Sequence, residues 1–190
     1  MSQKLPYLLI DDDFTLNYSI IVLILYKLGL STKKNAVLDF EKLQIFLYLV
    51  KNPSKINPLL ALAGKKFTPI NSQYTYTIES LSTNVDVLFD RSKLKFLLRQ
   101  LAARGMLECD SLTDPKSLKY LLSPNGIQFA ESLTSSAPET NKDSDFNSST
   151  PPPAENYFVA ALEVISSLIA IQSQTTTRLN AYLNTIFKGN

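Results

Sequence analysis

The sequence predicts a mainly α (α+β) fold in which several helices surround one small β-hairpin and a long amphipathic helix ends the chain. Three features carry this prediction. Apolar residues recur at helical spacing in four stretches, two short apolar runs flank a turn-rich segment, and the last thirty-odd residues keep alternating spacings of four and three. With 190 residues, 45% of them apolar, the chain can build a core of its own.

Phe14 to Leu28 is apolar nearly all round, with Asp13 placed to cap its start and Gly29 its end. A buried helix is expected, although its β-branched content leaves a strand open. Leu38 to Val50 is a second helix with a wide apolar face, Asp39 and Glu41 standing where a helix's positive end favours acids. It stops at Lys51-Asn52-Pro53. A shorter helix, about Ile56 to Ala63, ends at Gly64. Gln73 to Glu79 alternates, with Tyr74, Tyr76 and Ile78 on one side and Thr75 and Thr77 on the other, and is expected to be a short strand.

The next helix is the best marked. Asp90 is a good N-cap, Leu94, Phe96, Leu97, Leu98 and Leu101 form an apolar face, and Gly105 sits where a left-handed C-cap belongs. Met106 to Cys109 and Leu118 to Leu122 then flank a polar turn containing Asp114-Pro115, which gives a hairpin. Ser123-Pro124-Asn125-Gly126 opens a closing helix that runs to about Leu133. Helix, hairpin and closing helix outline a winged-helix-like core with the hairpin as its wing, placed in residues 1–133.

From 134 to 153 the composition turns to Ser, Thr, Pro, Asp, Asn and Glu, ending in Pro151-Pro152-Pro153. This is expected to be a flexible linker. In residues 154–190, Glu155 to Phe187 can form one helix of about 33 residues, roughly 50 Å long. Phe158, Leu162, Ile165, Ile169, Gln172, Thr176, Leu179, Leu183 and Ile186 make a coiled-coil-like seam that is polar only at Gln172 and Thr176. Ala161, Val164, Leu168 and Ile171 add a second stripe to its first half. Such a helix either folds back onto the core or docks on a partner helix. The sustained spacing beyond a linker favours the partner, which makes Phe158, Leu162, Ile165, Ile169, Leu179, Leu183 and Ile186 the candidate partner-binding residues.

Catalysis is bounded by what the chain lacks. It contains no histidine and one cysteine, so histidine-based triads, imidazole acid–base chemistry and the usual zinc ligand sets are excluded within it. No catalytic, cofactor or metal site is expected. Asp11-Asp12-Asp13 is assigned to helix capping, because consecutive carboxylates diverge and no further ligand completes a cage. Cys109, between Glu108 and Asp110, is expected to be a packing residue with a raised pKa. No secretory signal is visible, and Ser19 to Tyr26 is too short to span a bilayer, so a cytoplasmic protein without a membrane partner is expected.

The net charge of +2 commits the chain to no polyanion, so nucleic-acid binding has to be sought in local patches. Arg91, Lys95 and Arg99 share the outer face of the helix that follows Asp90, and Lys116 and Lys119 lie in or near the hairpin. These five are the candidate nucleic-acid contacts, since in a DNA-binding winged helix that face enters the major groove and the wing touches phosphate. A solvated face or a protein interface predicts the same residues.

Several segments together resemble a known family. They are Leu38-Asp39-Phe40-Glu41-Lys42-Leu43 running into Tyr48-Leu49-Val50-Lys51-Asn52-Pro53, then Val87-Leu88-Phe89-Asp90, Lys93-Leu94-Lys95-Phe96-Leu97-Leu98 and Gly105-Met106-Leu107. Tyr120-Leu121-Leu122-Ser123-Pro124-Asn125-Gly126 and Arg178-Leu179-Asn180-Ala181-Tyr182-Leu183-Asn184 complete the set. In this order they resemble the middle component of ABC-three-component systems, a class grouped with Lamassu-type anti-phage defence. The resemblance implies a non-catalytic accessory subunit that works with an SMC- or Rad50-like ATPase and an effector, often a nuclease. It would bridge or clamp the ATPase heads and hold the effector until foreign DNA is engaged, in a hetero-oligomer rather than a homodimer. The residues themselves leave a second function open, a winged-helix transcription regulator that dimerises through its last helix.

Overall fold

A helix that is apolar on every side must be enclosed, and the first helix, α1 (Phe14–Leu28), is. In the computed structural model, which describes residues 14–70, 91–110, 118–135 and 157–188, every residue from Asn17 to Leu25 is buried, and so is Leu28. The strand alternative is thereby excluded. The expected strand at 73–79, the caps Asp13 and Asp90, the Asp11 to Asp13 cluster, the hairpin turn with Lys116, and all but the first two residues of the 134–153 linker lie outside the described residues.

Around α1 stand α2 (Phe40–Lys51), α4 (Arg91–Ala103), a two-stranded sheet, α5 (Pro124–Thr134) and α6 (Tyr157–Ser167). Asp39 starts α2 as its N-cap: its backbone is extended and its Oδ1 accepts from the Lys42 N–H at 2.8 Å. After Asn52 a 3-10 turn, Pro53–Lys55, leads into α3 (Ile56–Leu62). Helix α4 buries Leu94, Leu97, Leu98 and Leu101. It ends at Gly105, whose φ of +65° is the left-handed conformation that favours glycine. The Gly105 N–H donates to the Ala102 carbonyl and the Met106 N–H to the Leu101 carbonyl, each at 2.9 Å. This double closure turns the chain directly into the sheet.

Strand β1 (Leu107–Asp110) pairs antiparallel with β2 (Lys119–Leu122), Leu107 facing Leu122 and Asp110 facing Lys119. A single residue from the α1–α2 connection joins them, because the Tyr120 N–H donates to the Leu38 carbonyl at 2.8 Å. That contact fixes the hairpin beside the start of α2. Ser123 caps α5, accepting from the Gly126 N–H at 3.2 Å and donating to the Gly105 carbonyl at 2.6 Å. Gly126 lies so close to β1 that a Cβ there would stand 2.3 Å from the Met106 carbonyl oxygen.

The C-terminal segment differs from the single 33-residue helix that its spacing predicts. Helix α6 passes through a 3-10 turn, Leu168–Ile171, and a short break into α7 (Thr176–Lys188), and the chain bends by 111°. Burial explains the bend. It places Val164, Ile165, Leu168, Ile171, Leu179 and Leu183 in the chain's own core, each worth about 1.5–3 kcal/mol. A straight lone helix would save only the few hydrogen bonds lost at the break, at about 0.5–1.5 kcal/mol apiece. The seam is polar at the break, and Thr175 caps α7 by accepting from the Arg178 N–H at 3.3 Å. Helix α7 seats on α2 and α3, with the Phe187 ring edge-on to Tyr48 at 5.9 Å. Among the described residues no single helix is long and apolar enough to cross a membrane.

Tyr48 is 2% exposed, and its hydroxyl has no hydrogen-bond partner among the described residues. Burial also pushes the phenol's pKa up. A buried hydroxyl without a partner costs about 1–3 kcal/mol. Tyr48→Phe is therefore expected to leave the urea midpoint unchanged or raise it. Gly126→Ala, by forcing β1 and α5 apart, is expected to cost about 1–3 kcal/mol in the same titration.

Candidate functional site

The seven seam residues do not share one surface. Ile165, Leu179 and Leu183 are buried in the core, Phe158, Leu162 and Ile186 pack against it half-buried, and Ile169 is 48% exposed. In this chain the segment folds back onto its own core, the first of the two fates its amphipathy allows.

A polar junction at the bend fixes where it turns. The Gln172 side-chain amide donates to the carbonyls of Leu28 at 2.7 Å and Leu30 at 2.9 Å, satisfying the end of α1. The Gln172 carbonyl accepts from Lys42 Nζ at 3.0 Å. Asp39, besides capping α2, pairs through Oδ2 with Lys119 Nζ of β2 at 3.2 Å, and the Thr176 hydroxyl lies 3.4 Å from the same oxygen. Five side chains thus tie together the end of α1, the start of α2, the hairpin and the bend. Burial lowers the Lys42 pKa, the Asp39 charge opposes that shift, and the Lys119 charge adds to it. The spacing marks Gln172 and Thr176 as the two polar breaks in an apolar seam; that they are anchors, and that Lys42 and Asp39 are their counterparts, emerges only when the chain is folded.

The basic candidates divide as well. Arg91 Nη1 lies 3.3 Å from Glu41 Oε1 in an exposed ion pair, and its guanidinium sits 5.0 Å from the centre of the Phe40 ring. Lys119 is committed to Asp39, and Lys116 is outside the described residues. Lys95 and Arg99 are exposed on the outer face of α4, and neither forms an ion pair among the described residues. Phe96 is next to Lys95 in sequence and 52% exposed, its inner edge meeting Phe14 at 5.7 Å. What α4 presents is therefore an aromatic ring with two cations, rather than a continuous basic strip.

Cys109 is exposed on β1, not packed as expected, although it shares its face of the strand with Leu107, which packs on the core. Partial burial of the sulfur pushes its pKa up, so it stays a thiol at neutral pH. Among the described residues no group of His, Cys, Asp and Glu is arranged to hold a metal ion.

A comparison with protein families matches residues 28–139 to the family described as ABC-three component (ABC-3C) system Middle Component 4. That stretch runs from the last residue of α1 to just beyond α5 and includes Asp39, Lys42, Lys119 and the whole of α4. No curated protein and no solved structure matches the chain.

The lowered Lys42 pKa has a consequence for stability. Between that lowered value and the ordinary lysine value of 10.5, the unfolded chain binds more protons at this residue than the folded one. Stability therefore rises with pH through that window. Tyr48 and Tyr120, both raised above 10.0, contribute the opposite sign above that pH and are common to both proteins compared. The difference in unfolding free energy between wild type and Lys42→Met should therefore rise with pH below 10.5 and flatten at neutral pH. A difference independent of pH up to 10.5 would show that Lys42 is not desolvated.

Proposed function

The chain belongs to the ABC-three component system Middle Component 4 family, and on that premise we propose that it is a non-catalytic adaptor that bridges an SMC- or Rad50-like ATPase and an effector in a cytoplasmic anti-phage defence complex. The family match over residues 28–139 carries this reading, since a middle component belongs to a system with other subunits. The lack of histidine within the chain supports the non-catalytic part. The outer face of α4 is the surface proposed for the partner. An exposed Phe96 with Lys95 and Arg99 on the same helix suits a protein surface that offers an aromatic pocket rimmed by carboxylates.

A second reading has one observation in its favour. The order α1, the Leu38 bridge, α2, α4, hairpin and α5, with α3 inserted between α2 and α4, is compatible with a winged helix, and Lys95 and Arg99 stand exposed on the helix that would then meet DNA. Against it stand the engagement of Arg91 and Lys119 by acidic partners and the near-neutral total charge, which provide few free cations to replace phosphate counterions.

Co-expression with the genes adjacent to its own separates the two. The adaptor reading expects the chain to co-purify with a large ATPase that carries a coiled-coil insertion. The triple variant Lys95→Glu, Phe96→Ala and Arg99→Glu should weaken that binding by about 10-fold or more, as loss of a central aromatic anchor does, while its melting curve stays that of wild type. Failure of the wild-type chain to co-purify with any ATPase would sink the reading. A salt-dependent mobility shift by the isolated chain, lost in Lys95→Ala with Arg99→Ala, would establish the regulator instead.

A further inference from the structure

We propose that the bend between α6 and α7 is a hinge through which two copies of this chain exchange α7, each straightened arm seating on α2 and α3 of the other copy. Nothing in the break demands a bend. Gln172-Ser173-Gln174-Thr175 contains neither glycine nor proline, and Gln172 keeps right-handed helical torsions of −54° and −37°. The 3-10 turn Leu168–Ile171 immediately before it is the kind of irregularity that marks hinges inside helices.

The spacing of the seam supports a straight form. Ile169, Gln172, Thr176 and Leu179 follow one another at three, four and three residues across the break, so a continuous helix would align all of them on one face. Two helices that only ever met at 111° would have no need to share a register. The straight form also requires a second copy. Leu179 and Leu183 are buried, and Phe187 packs on Tyr48, so an open arm would expose a large apolar face to water. The one surface known to fit that face is the seat on α2 and α3, and a second copy whose own arm has opened offers the same seat empty.

Exchange re-forms the contacts of α7, including those of Thr176 with Asp39 and Phe187 with Tyr48. It gives up the contacts at the hinge: Gln172 with the Leu28 and Leu30 carbonyls, Lys42 with the Gln172 carbonyl, and the Thr175 cap on the Arg178 N–H, which a continuous helix replaces with a backbone bond of its own. Those anchors keep the isolated chain closed. Ile169, exposed in the closed chain, would come to lie on the straight seam one step from Gln172, where the two hinge helices cross.

The test reads a distance within one chain. On a Cys109→Ser background, spin labels are placed at Glu163→Cys and Lys188→Cys, both exposed sites, and labelled chains are diluted into unlabelled ones. Two arms of about 14 and 20 Å meeting at the 111° bend leave the labelled positions about 20 Å apart, against about 38 Å along a straight helix. Wild type, Gln172→Ala and Thr176→Pro are incubated at high concentration and separated by size. Proline is tolerated at residue 176 in the bent form, the first position of α7, but would break a continuous helix there. The expected result is a dimer fraction with the long distance, enlarged in Gln172→Ala and absent in Thr176→Pro, whose melting curve still shows a folded monomer. The proposal is overturned by a dimer that keeps the short distance, by a Thr176→Pro protein that dimerises as wild type does, by a long distance in the monomer fraction, or by monomers alone in both wild type and Gln172→Ala. Should Gln172→Ala fail to fold, wild type against Thr176→Pro decides by the same criteria.

Discussion

The enclosure of α1 is the constraint on which the rest of the molecule depends. Ten of its fifteen residues are buried, among them Asn17 and Ser19, so it has no face to give to water and needs neighbours on every side. Helices α2, α4, α5 and α6 and strand β2 supply them. Aromatic residues complete the near end: Phe14 and Tyr18 stack in sequence, Phe96 of α4 meets the first and Phe129 of α5 the second. The family match begins where α1 ends and stops short of α6. The two flanks lie against each other, so in this chain the matched segment is closed by parts that the match leaves out.

Asp39 organises the other end. One carboxylate caps α2, pairs with β2 through Lys119 and faces Thr176 at the start of α7. Lys42, one turn along, reaches the carbonyl at the bend. Partly buried polar groups of this kind contribute modestly to stability, because desolvation offsets most of what their attraction provides. Their effect is on geometry. Each donor or acceptor has one placement that satisfies it, which sets where α1 ends, where the hairpin sits and where the last helix turns.

The parts of this architecture that rest on local chemistry were legible in the sequence. The helix over Leu38 to Val50, the left-handed stop at Gly105, the hairpin and the helix opened by Ser123-Pro124-Asn125-Gly126 each follow from a few residues whose conformational needs are known, and each stands where the spacing places it. The C-terminal segment was not legible in the same way. Its heptad spacing is a statement about which residues share a face, and that survives in both α6 and α7, but no local rule says that the axis turns at Gln172. The turn is decided by the Leu28 and Leu30 carbonyls and by Lys42, more than a hundred residues away. The surroundings of the basic face were hidden for a related reason: Arg91 and Lys119 look free in sequence because Glu41 and Asp39 meet them only across the fold.

An amphipathic helix gains the same burial whichever chain supplies the opposing surface, so the pattern alone does not choose between an internal and an external partner. Concentration does. A segment tethered to its own seat sees an effective concentration in the millimolar range, far above that of most free partners. Helix α7 is therefore seated on α2 and α3 in the lone chain, and an outside helix would have to displace it before it could use Leu179 or Leu183. Among the described residues the outer face of α4 carries no such competitor. Phe96 is exposed in the closed chain, and Lys95 and Arg99 stand on the same exposed face. A partner subunit can engage that surface without disturbing the core, which directs the search for the primary contact to α4 and leaves the C-terminal arm to respond to a slower and more costly rearrangement.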